Sequence, residues 1–129
     1  MKQDRTLLLT DKTLYNVKKD AVKRRIDVAD VIALSKSTKS KSQEFVVHVK
    51  AQYDYRFESG RRQEIFDAIK YVCWKQSKSN LPIFEVPESL KAHHTTKKNI
   101  AHGNDVLPSL KYRKEANDYP PQKMGGGAS

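Results

Sequence analysis

The period of the apolar residues changes once along this chain, near Gly60, and that change limits what it can fold into. Before it, "EFVVHVK" (44–50) alternates Phe45, Val47 and Val49 with Val46 and His48, and "YDYRFES" (53–59) alternates Tyr53, Tyr55 and Phe57 with Asp54, Arg56 and Glu58. A period of two is that of half-buried strands. After it, "RRQEIFDAIKYVCWKQ" (61–76) puts Ile65, Ile69, Val72 and Cys73 on one stripe flanked by Phe66 and Ala68. That is an amphipathic helix of about four turns, with Ser59 placed to cap it.

Upstream lie further strand signals. Thr6–Thr10 and Thr13–Val17 are joined by Asp11-Lys12 and read as a hairpin. Val22, Ile26 and Val28 share a face of the next strand, which bends or ends near Ala29-Asp30 before Val31, Ile32 and Leu34 begin another. "SKSTKSKSQ" (35–43) has no apolar residue and reads as a surface loop. "LPIFEVP" (81–87) is a proline-bounded extended segment, an extra strand or a strap. Consecutive antiparallel strands followed by one helix predict a mainly β fold, a bent antiparallel barrel plugged by a C-terminal α-helix. Residues 1–88 form the expected domain. Residues 89–129 form a basic, partly disordered tail, with the middle docked loosely at best and the last ten residues disordered.

Charge narrows the partners. The net charge is +10 and the pI about 9.7, which favours polyanions: nucleic acid, anionic lipid or an acidic protein. Cys73 is the only cysteine, so there is no internal disulfide and no cysteine-based zinc cluster. No apolar run of the ~18 residues needed to span a bilayer occurs, so membrane contact is expected to be peripheral.

The blocks "DRTLLLTDKTLYNV", "KRRIDVADVIALSKS" and "EFVVHV", then a helix and "LPIF", resemble the tail homology 1 domain of class I myosins, a pleckstrin-homology-like module, over residues 4–86. The resemblance implies a peripheral membrane module at the cytoplasmic face or cell cortex. It would bind anionic phospholipids, including phosphoinositides, and link actin-based motors to membranes. It also implies a headgroup pocket formed by a lysine of the first strand and a basic residue at the start of the second. Arg5 matches the second position. The first-strand lysine has no counterpart, because that strand would precede Asp4; the chain either lacks its first strand or fills the gap with another segment such as "LPIFEV".

The candidate headgroup residues are Arg5, Tyr15, Lys18, Lys19, Lys23 and Arg24. Lys18, Lys19, Lys23, Arg24 and Arg25 are interrupted by one acid, Asp20, at a turn between strands, where guanidinium forks and lysine point charges suit phosphate. The competing explanation is solvated charge on a strand edge, which discourages aggregation; for Tyr15 it is ordinary packing. Lys36, Lys39 and Lys41 add charge in the serine loop, where phosphorylation would subtract it. His93, His94 and His102 lack suitably spaced partner ligands, so no metal or cofactor is expected. There is no nucleophile elbow, HExxH or Walker loop, which points away from an enzyme. The alternatives are a small basic nucleic-acid-binding barrel, disfavoured because the aromatics sit at core positions, and a protein-interaction scaffold docking through "YPPQK".

Overall fold

The computed structural model describes residues 5–114. The hairpin of β1 (Thr6–Leu9) and β2 (Thr13–Lys18) closes through Thr10, whose hydroxyl accepts the N–H groups of Lys12 and Thr13. β3 (Ala21–Asp27) pairs with the other side of β2. Between them Lys19 and Asp20 both take positive φ, 49° and 65°. Two left-handed residues in a two-residue loop match the twist of an antiparallel hairpin. A 3₁₀ turn at Val28–Asp30 bends the chain into the second sheet, as the Ala29-Asp30 break predicts.

That sheet has the order β6-β5-β4-β7-β8, with β4 (Val31–Ser37), β5 (Glu44–Val49), β6 (Tyr55–Glu58), β7 (Ile83–Val86) and β8 (Arg113–Lys114). Helix α1 (Arg62–Ser77) follows β6. Its start is pinned by the Arg62 guanidinium, which donates to Ser37 O at 3.0 Å and Glu44 O at 2.9 Å. Ser59 lies just outside the helix and accepts the Arg61 N–H at 3.0 Å. Phe66, Ile69 and Cys73 of α1 pack on Leu14, Ile26, Leu34, Phe45 and Val47, with Phe45 and Phe66 edge to face at 5.6 Å. Together these make a mainly β, pleckstrin-homology-like bent-sheet fold whose sheets stay open.

Three expectations need correction. β4 runs on through Ser37, so Ser35 and Ser37 are fully buried strand residues rather than loop. Their hydroxyls are satisfied internally, Ser35 with His48 and Ser37 by donating to Glu88 O at 2.7 Å, which makes burial affordable. β5 is buried at all six positions instead of on one face. Its second face is covered by Phe84, Val86 and Leu90, with Tyr112 alongside. Finally, "LPIFEV" does not complete the first sheet: β7 lies parallel to β4, and among the described residues β1 and β3 are the edges of the first sheet and β6 and β8 those of the second.

Covering that second face takes residues assigned from sequence to the tail. Leu90 is fully buried and its N–H donates to Glu44 Oε1 at 3.0 Å. Past it come α2 (Lys97–Ala101) and β8, which pairs with β7. The last ten residues and "YPPQK" lie outside the described residues.

Burial pushes the Cys73 thiol up to about 11. Iodoacetamide at about pH 8 is therefore expected to leave Cys73 unmodified in the folded protein and to alkylate it once denaturant is added, read by intact mass. Rapid labelling of the native chain would contradict this packing.

Candidate functional site

Strand alternation divides the first sheet into two faces. Leu7, Leu9, Leu14, Asn16, Arg24 and Ile26 share the inner one, through the cross-strand pairs Leu7–Asn16, Leu9–Leu14, Leu14–Ile26 and Asn16–Arg24. Tyr15 is on the outer one opposite Arg25, whose guanidinium lies 5.5 Å from its ring centroid. The register shifts between Asn16 and Val17, leaving Lys23 as the extra, unpaired residue of β3, exposed beside the Lys19-Asp20 turn.

Between the inner face, β6 and α1 is a hollow of about 1360 Å³. Leu7, Leu9, Phe57, Ile65 and Ile69 give it apolar walls, and Arg5, Asn16 and Tyr55 also line it. Asn16 is 7% exposed. Its Oδ1 and the Tyr55 hydroxyl are buried without a hydrogen-bond partner among the described residues. Orphaned buried groups cost about 1–3 kcal/mol each, and because both atoms are sealed from solvent they form a polar deficit in the wall of the hollow rather than contacts open to a ligand. Burial pushes the Tyr55 phenol up to about 12, and the positive charges of Arg5 and Arg24 oppose that rise. Tyr55 therefore stays a donor at neutral pH, and two of the sequence-predicted cations converge on it.

The rest of the predicted set divides. Arg5 continues β1 one step past the Thr6–Val17 pair, toward Lys18. Lys18, Lys19 and Lys23 surround the β2–β3 turn on the same border of the sheet. Arg24 is half buried: its guanidinium lies 3.8 Å from the Tyr53 ring centroid and donates to the Tyr53 and Asp54 carbonyls. It holds the β5–β6 loop as well as contributing charge. Tyr15 is not brought to the hollow. Lys36 is paired with Glu85 at 3.5 Å, and among the loop serines Ser35 and Ser37 are sealed from any kinase.

Sequence reading missed Asn16 and Tyr55, because only the bend between the sheets brings them to one hollow. It also missed a buried relay. Ser35 Oγ is 2.6 Å from His48 Nε2, and His48 Nδ1 donates to Asp54 Oδ2 at 2.7 Å. Asp54 also accepts the N–H groups of Val49 at 2.9 Å and Thr95 at 2.8 Å. The order of groups is that of a hydrolytic triad, but Ser35 and His48 have no exposed surface. A substrate carbonyl cannot reach the hydroxyl, and the relay joins strands instead.

The family model described as unconventional myosin tail, actin- and lipid-binding, matches residues 1–111. The chain belongs to this family. It is a class I myosin tail homology 1 domain, a lipid-binding tail module, and the matched span extends through α2 and into the segment that covers the second sheet. No curated protein matches the chain. Among its described residues no helix is long and apolar enough to cross a membrane.

Proposed function

We propose that this myosin tail domain binds a phosphoinositide headgroup at the Arg5 corner of the hollow, anchoring actin-linked machinery peripherally to cytoplasmic membranes or the cell cortex. The observation that carries the reading is that Arg5, on the lining of the hollow, lies at the same border of the first sheet as Lys18, Lys19 and Lys23 around the β2–β3 turn. Phosphate oxygens only accept hydrogen bonds, so they suit Arg5 and the turn lysines. Lys18, Lys19 and Lys23 add long-range attraction of about 1 kcal/mol each near an anionic leaflet, less the contribution of Asp20. Arg24 acts mainly by positioning the Tyr53–Tyr55 stretch.

The test is sedimentation with vesicles containing phosphatidylinositol bisphosphate, beside phosphatidylserine vesicles of matched charge and a single-stranded oligonucleotide at the same salt. Arg5→Ala is expected to weaken phosphoinositide binding about tenfold, the scale of one lost charge-assisted contact. Equal binding of wild type to both vesicle types would reduce the site to a diffuse basic surface, and tighter binding to the oligonucleotide would favour nucleic acid.

A further inference from the structure

Arg24 and Lys97 flank the partly buried ring of Tyr53, none of the three lining the hollow. Arg24, from β3, sits 3.8 Å from the ring centroid; Lys97, the first residue of α2, places its Nζ 5.0 Å from the same centroid. Two like charges on one ring repel each other. Among the described residues neither has a carboxylate within ion-pair distance. The nearby Asp54 carboxylate is already engaged by His48, Val49 and Thr95.

The backbone carrying Lys97 is firmly held. The Asp54 N–H donates to Thr95 O at 2.7 Å and the Thr95 N–H returns to Asp54 Oδ2 at 2.8 Å. Thr95 Oγ1 and Val106 exchange two further hydrogen bonds, of 3.1 and 2.7 Å, and Thr96 and Asn99 form a capping box that fixes the start of α2. Lys97 is thus one residue beyond Thr96 and two beyond the buried Thr95. A lysine held at an aromatic face beside a second cation, with no carboxylate in ion-pair distance among the described residues, is poised for an external anion.

We infer that Arg24, Tyr53 and Lys97 form a second anion locus, which takes the phosphate of another anionic phospholipid when the Arg5 corner is occupied. This rests on the lipid reading above and adds a residue from the segment following β7. It would make the domain bind two headgroups at once, raising avidity without a new fold element.

The experiment compares wild type, Lys97→Gln, Lys97→Arg and Lys111→Gln by sedimentation with phosphatidylcholine vesicles containing phosphatidylinositol bisphosphate, with folding checked by circular dichroism. Lys111 is a matched control, a surface lysine 5.1 Å from the centroid of a different ring, Tyr112. Lys97→Gln is expected to weaken binding about fivefold, the effect of one juxtamembrane cation, with Lys97→Arg near wild type and Lys111→Gln changed less than about twofold. Equal losses for Lys97→Gln and Lys111→Gln would overturn the locus while leaving lipid binding standing. Failure of the wild type to sediment would overturn both.

Discussion

Asp54→Ala is expected to be among the most destabilising single changes in the domain, lowering the unfolding free energy by about 3–5 kcal/mol. The carboxylate is the common acceptor for His48 Nδ1, the Val49 N–H and the Thr95 N–H, all of them buried. Alanine would leave three buried donors without their acceptor. A fall of ~10–20 °C in the thermal midpoint is expected from that range. Asp54→Asn, which keeps the shape but turns one acceptor into a donor, should fall between. A loss under about 1 kcal/mol on urea denaturation would mean that the relay does not hold the sheet to the Thr95 segment.

Leu90→Ala is expected to cost about 2–5 kcal/mol, the range for deleting a buried leucine side chain where the site cannot collapse. Leu90 is fully buried against Ala33, Val46, Phe84 and Val86. Its loss should act locally first: hydrogen exchange at the amides of Thr95 and Val106 should accelerate well before that of β5, because the segment is attached through few elements. Uniform acceleration across the domain would show instead that the segment and the sheet unfold as one unit. In the same variant Lys97 would lose its fixed place near Tyr53, so the two-headgroup avidity should decline as well.

What could be read directly from the sequence were the elements with strong local signatures. The hairpin at Asp11-Lys12, the bend near Ala29-Asp30 and the helix from the change of period all rest on spacing between near neighbours. The polar interior was hidden. Ser35 and Ser37 carry no apolar atoms to advertise burial, and their partners His48 and Glu88 are contributed by other segments. β5 reads as alternating because its second face is covered by residues nearly forty positions downstream, such as Phe84 and Val86. Of the candidate site, the basic turn was legible as composition. The buried polar pair in the wall behind it, Asn16 and Tyr55, depends on the angle between two sheets and leaves no mark on residue spacing.

Among the described residues β1 and β6 each carry an outer border with no strand beside it, which matters in bulk and on a surface. β1 reads Thr-Leu-Leu-Leu, with no charge of its own to repel a neighbouring strand. In solution the surplus of ten positive charges keeps like molecules apart. A lipid sheet cancels that surplus while crowding the recruited molecules into two dimensions, so the deterrent to lateral strand-to-strand contact is weakest where the protein is most concentrated.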